Sequence, residues 1–232
     1  MEENINSKIL IKIVKEGIDS KVGEIGNGIL YKLCRDYPDH KNDDAINAKV
    51  WLIGRAYAAA IERRKEKDDI NDDFYESKVI PIMRSSHIDD KLTKLSKYKS
   101  ITDHNILEIL QVHKFLLDKF QKISGMKKRS LSSKYLHFHL PNLFFIYDSR
   151  ANTALKIILE TEGLFVDDSF EKLFSKIKNQ DIDEEYAKFF CRAYLVKKRL
   201  FDMVKEPIST RQFDNILIKI GNNRLRKQKL YN

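Results

Sequence analysis

Chain breakers are scarce in this sequence, and that limits its fold more than any other feature. Four prolines and eight glycines are spread over 232 residues. Between them, apolar residues recur at three- and four-residue spacings, the period of a helix with one buried face. Strand-like alternation is rare. An all-α fold follows, with helical lobes that need not be separate in sequence. There is no internal repeat and no low-complexity linker, so residues 1–232 are read as a single helical unit.

The periodicity predicts helices over Ile9–Ile18, Gly28–Cys34 and Asp44–Lys65, the last rich in alanine. Asp73–Met83 reads as helical with Pro81 bending or limiting it. Ser86–Lys99 is polar with weak periodicity. Thr102 and Asp103 are candidate caps for a helix running to about Gln121. Its apolar stripe is Ile106, Ile109, Leu110, Leu116, Leu117 and Phe120. Arg129–His139, Asp148–Glu160, a short helix from Asp168-Ser169, Asp183–Lys205 and Thr210–Ile220 complete the set. Trp51, Tyr57 and Ala58 are expected in the core. Arg55, inside the same apolar run, needs an acidic partner or a pocket wall. Glu62 is a candidate second functional carboxylate, though Glu62-Arg63-Arg64 reads more simply as a solvated helix end.

Charge narrows the class of partner. The formal net charge is +9, a balance that favours a polyanion such as nucleic acid. The charge is also clustered. Lys122 to Arg150 holds six basic residues and one acid, and Lys219 to Asn232 holds five basic residues and no acid. The stretch Glu62–Asp73 is mixed and reads as a solvated surface. No run approaches the roughly 20 apolar residues of a membrane helix. The N-terminal MEENINSKILIKIVKEG lacks the basic start and cleavage site of a secretory leader. With only Cys34 and Cys191 present, a disulfide scaffold is not expected and the cytoplasm is the default location. His137 and His139 stand two apart, about 200° on a helix, so they do not share a metal side by side. No metal and no cofactor is expected.

The segment ISGMKKRSLSSKYLHFHLPNLFFIYD, Ile123 to Asp148, combines a glycine turn, a basic cluster, a helix, Pro141 and an acidic helix start. It resembles the helix-hairpin-helix DNA glycosylase superfamily, whose hairpin reads Leu-Pro-Gly-Val-Gly-x-Lys and is followed about nineteen positions later by an aspartate. Ile123, Ser124, Gly125, Met126, Lys127, Lys128 and Arg129 occupy the hairpin, and Asp148 stands nineteen positions after Arg129. Ser124 replaces the proline, Lys127 the second glycine and Arg129 the lysine. Together with the WLIGRAYAAAIERR helix, SLSSKYLHFHLPNLFFIYDSRA resembles a divergent bacterial branch of that superfamily.

The resemblance implies an all-α fold of two interleaved helical lobes, with the hairpin and catalytic-type segment at 103–160. It implies a monomer that binds double-stranded DNA and flips a damaged or modified base into a pocket. Asp148 would support the oxocarbenium-like sugar and the attacking water. Gly125, Lys127, Lys128, Arg129, Lys134 and Arg150 would hold the DNA. Trp51, Arg55, Tyr57 and Tyr147 are candidate pocket residues. A guanidinium does not form a Schiff base, so base excision without strand cleavage is the expected activity. Family iron–sulfur versions need four cysteines, which this chain lacks. The alternative is a DNA-binding protein that keeps the fold without the chemistry. A ribonuclease of the Arg-x(4–6)-His kind does not fit, because Arg129 and His137 have seven residues between them. Asp148 has a simpler role open to it as well, as the N-cap of the following helix.

Overall fold

The computed structural model describes residues 7–63, 73–160 and 168–230, with side chains described up to residue 222. Its helices in chain order are α1 (Ser7–Ile18), α2 (Glu24–Asp36), α3 (Asp43–Ala56), α4 (Ile80–Arg84), α5 (Ile88–Ser96), α6 (Ile106–Ser124), α7 (Arg129–His139), α8 (Ser149–Leu159), α9 (Ser169–Ser175), α10 (Glu184–Val204) and α11 (Thr210–Leu230). A π-helical turn, Tyr75–Val79, runs directly into α4. Among the described residues there is no strand. None of the described helices is long and apolar enough to cross a membrane.

The chain divides into two compact units that interleave in sequence. One is built from residues 1–22, 145–180 and 184–232, the other from 23–144 and 181–183. In the first, α11 packs against α1 and α8, while α10 packs against α1, α8 and α9. The α1–α11 approach is tight, since a Cβ on Gly17 would lie 2.4 Å from Ile216 Cγ1. Phe145 joins the core between Phe190 and Phe213, with ring centroids 5.1 and 5.4 Å away. The Tyr186 hydroxyl donates to the Phe145 carbonyl at 2.9 Å, satisfying a buried acceptor.

In the second unit, α7 packs against α2, α3 and α6. The α6 stripe Ile106, Ile109, Leu110, Leu116, Leu117 and Phe120 is buried as its spacing predicts, each side chain contributing about 1.5–3 kcal/mol of transfer free energy. Leu131, Leu136 and Phe138 of α7 meet that core. Ser132, Ser133, Lys134, Tyr135 and His137 are buried too, so α7 hides polar groups nearly all round. Gly125 ends α6 at φ 70°, its N–H donating to Gln121 O at 2.8 Å. That left-handed conformation favours glycine.

Several boundaries differ from the sequence reading for physical reasons. Helix α3 stops at Ala56 instead of continuing to Lys65; Lys65 itself lies outside the described residues. Ala59 N–H reaches back to Gly54 O at 2.7 Å and Ala58 N–H to Arg55 O at 3.2 Å. This is the Schellman pattern, with Ala58 in the left-handed position at φ 50°. The returning chain crosses Gly54 so closely that a Cβ there would sit 3.0 Å from Ala60 Cα. The stretch before Pro81 widens into the π-helical turn, where Ile80 N–H bonds Tyr75 O. The weakly periodic segment contains α5, whose Ile88, Leu92 and Leu95 face inward. The N-cap of α6 is Asn105, which takes the Thr102 N–H and donates to Ser100 O.

Candidate nucleic-acid interface

The hairpin turn joins α6 to α7 in the second unit, and its cations are not equivalent. Met126 and Lys127 are exposed. Lys128 extends its ammonium to the Arg63 carbonyl at 2.5 Å. That contact joins the α6–α7 turn to the loop after α3. Arg63 is exposed, with its guanidinium on Ala58 O at 3.3 Å. The two segments therefore bring Arg63, Lys127 and Lys128 onto linked stretches of surface. Helix α7 begins there without a side-chain N-cap, so its first-turn N–H groups add partial positive charge to the same place.

Arg129 takes a different course. Its Nε and Nη2 donate to the two Asp183 oxygens at 2.5 and 2.9 Å. The side chains are 18% and 5% exposed, so the pair is largely out of water. A bidentate carboxylate occupies the guanidinium fork that a phosphate would use. His113 of α6 lies against this pair. Burial pushes its imidazole down to about 3, against the opposing pull of Asp183 and a backbone hydrogen bond with Arg129. Lys134 also points inward. Its ammonium donates to Ser130 Oγ at 2.8 Å and Tyr57 O at 3.3 Å, and it sits 5.5 Å from the Tyr57 ring centroid. The expected phosphate set thus separates into inward anchors, Arg129 and Lys134, an exposed cation, Lys127, and the half-buried Lys128 that bridges to the Arg63 carbonyl.

Asp148 belongs to the first unit. It is the N-cap of α8, its Oδ1 accepting the Ala151 N–H at 2.9 Å. Beside it, Tyr147 donates to Glu185 and packs edge-on against Phe189 at 5.1 Å. Arg150 is exposed in the first turn of α8.

The aromatic candidates also separate. Tyr57 is half-buried, its hydroxyl on Asn27 Oδ1 at 2.6 Å and its ring 5.4 Å from Phe138. Trp51, expected in the core, is instead 45% exposed. The same correction applies to Ala58, which is exposed in the α3 cap. Arg55 lies 5.9 Å from the indole centroid and is ion-paired to Glu62. Glu62 is no solvated helix end, for it also takes the Tyr75 hydroxyl at 2.8 Å. Burial and that carboxylate push the Tyr75 phenol upward.

One buried cluster had no signal in the sequence. Lys49 is fully buried and donates to Tyr37 O and Asp39 O at 2.9 and 2.7 Å, capping the end of α2. Burial pushes its ammonium down to about 8. His40 Nδ1 donates to Asp89 Oδ1 and Nε2 accepts from Tyr135 O–H, each at 2.5 Å. Burial and the nearby Lys49 hold His40 neutral, at about 4. His139 stacks on His40 with 5.5 Å between centroids. Tyr135 and Lys49 are sealed from solvent, so this network works as scaffolding that ties α5 to α7. Lys49 lies on α3, Asp89 on α5, Tyr135 and His139 on α7 and His40 between α2 and α3, and only their mutual contacts give them meaning. Cys34 and Cys191 are buried free thiols, raised to about 12 by burial.

The chain matches no protein-family model, no curated protein and no solved structure.

Proposed function

We propose that this chain binds DNA and removes a damaged or modified base without cutting the strand, in the manner of a helix-hairpin-helix glycosylase. One observation carries the reading. The α6–Gly125–α7 hairpin exposes Lys127 and joins the half-buried Lys128 to the Arg63 carbonyl. Such a turn offers side-chain cations and uncapped helix N–H groups to one phosphate backbone.

Asp148 is the carboxylate proposed to stabilise the sugar cation as the base departs and to orient water. Its capping bond uses Oδ1. Strand cleavage through Arg129 is not part of the proposal. The guanidinium stays protonated and is committed to Asp183.

Asp148→Asn tests the chemistry, because asparagine caps a helix about as well as aspartate. Wild-type protein incubated with lesion-bearing duplexes, then treated with alkali, is expected to reveal abasic sites. In the variant base release should fall by about 10²-fold or more, with DNA affinity retained. A second reading is favoured by the same capping bond and by the Arg129–Asp183 pair: a DNA-binding protein without base excision. Binding by the wild type with no base release from any lesion would select it.

A further inference from the structure

We propose that Trp51 is a stacking platform for an unpaired base of the nucleic acid held at the adjoining basic surface. This rests on the DNA-binding part of the reading above and not on base excision.

Three aromatic side chains were open to the role, and their surroundings separate them. The Tyr147 hydroxyl is taken by Glu185 and its ring is packed on Phe189. Tyr57 is fixed by Asn27, Phe138 and the Lys134 ammonium. Trp51 is the chain's single tryptophan and stands 45% exposed on α3. Among the described residues no aromatic ring packs on it. Large indoles are normally well covered, so the uncovered area calls for a partner.

Charge identifies that partner. Arg55 lies beside the indole and is fixed by Glu62. The next residue, Arg63, gives its carbonyl to Lys128, next to Lys127. Arg55, Arg63, Lys127 and Lys128 thus outnumber the acid Glu62 along this route, which suits a polyanion better than an apolar protein face. A base in a duplex has both faces covered by its neighbours. An unpaired base offers a free π-face to an indole, and the guanidinium beside it adds a cation–π contact.

The indole reports on itself. Full-length protein would be titrated with a short oligothymidylate, with a fully paired duplex and with the same duplex carrying one unpaired thymine. Anisotropy of the labelled DNA and tryptophan emission would be read together. Oligothymidylate and the unpaired thymine are expected to quench emission in step with binding, while the paired duplex binds without quenching. Trp51→Ala should weaken oligothymidylate binding about tenfold or more, and Trp51→Phe should restore most of it. Helical circular dichroism of both variants should match wild type.

Binding with unchanged emission, or equal affinity in Trp51→Ala, overturns the platform. So does a variant that loses self-association on a sizing column while keeping its DNA affinity, since Trp51 would then serve a protein contact. If Lys127→Glu/Lys128→Glu abolishes binding and Trp51→Ala does not, the basic surface stands and the platform falls. If the wild type binds none of the three DNAs, both fall.

Discussion

Asp183→Asn is expected to be among the most damaging single substitutions in the second unit. The change leaves the Arg129 guanidinium charged with an amide in place of its carboxylate. Two charge-assisted hydrogen bonds, at 2.5 and 2.9 Å, lose their ionic acceptor. Breaking a buried pair by removing one member costs about 3–5 kcal/mol. Because the Arg129 side chain keeps 18% of its surface in water, a loss near the lower end, about 3 kcal/mol, is expected. That is a large share of the roughly 5–15 kcal/mol by which folded proteins are stable. Arg129→Met should cost a similar amount, now for a stranded carboxylate. The double variant Arg129→Met/Asp183→Leu should recover most of the loss, since an apolar pair of similar volume is often neutral in such a site. Urea unfolding followed by circular dichroism gives the four free energies and the coupling. If each single change costs under about 1 kcal/mol and the effects add, the pair is an ordinary surface bridge. Arg129 would then be released for DNA contact.

Other outcomes follow from the same geometry. Ala58→Gly should stabilise the protein by about 0.5–1 kcal/mol in urea unfolding, because φ 50° strains alanine and suits glycine; a neutral or destabilising result would contradict the cap assignment. Phe120→Ala should cost about 3–5 kcal/mol, since the ring is fully buried; a loss under about 1 kcal/mol would be inconsistent with that packing. Acid should destabilise the fold through its buried histidines. His40 and His113 are held at about 4 and about 3, below the ordinary 6.5. As pH falls below about 6.5 the unfolded chain takes up protons first, so stability declines toward pH 4, by up to about 1.4 kcal/mol per unit for each histidine. His113→Phe should flatten that decline in thermal melts between pH 7 and 4.5, and an unchanged slope would count against a buried neutral His113.

Local chemistry explains which parts of the structure were legible in the sequence. Helix α7 has the predicted bounds because Gly125 and Pro141 punctuate it. The α6 stripe was readable because six apolar residues share one face. The alanine-rich stretch predicts helix beyond Ala56 because alanine favours helix everywhere, and nothing in it signals a chain returning across Gly54. Helix α5 leaves only a weak pattern in the sequence, since Ile88, Leu92 and Leu95 are its main apolar signal. Hydrophobic character alone places Trp51 inside, because it does not say which face of α3 a neighbour covers. Arg129 illustrates the limit most sharply: its partner Asp183 lies 54 residues away, and no local pattern links them. The Lys49 and His40 cluster was hidden for the same reason, since α2, α3, α5 and α7 meet only on folding.

DNA binding at the hairpin is the central claim, and anisotropy of a labelled duplex tests it most directly. Wild type, Lys127→Glu/Lys128→Glu and a control, Lys172→Glu/Lys176→Glu at exposed positions on α9 and its C-cap, carry matched changes of charge where they differ. The hairpin variant is expected to lose most of its affinity. If it still binds, the slope of log affinity against log salt should be smaller by about 2, two phosphate contacts having gone. The control should change far less. Equal weakening in both variants, or wild-type affinity and salt dependence in the hairpin variant, would contradict the account.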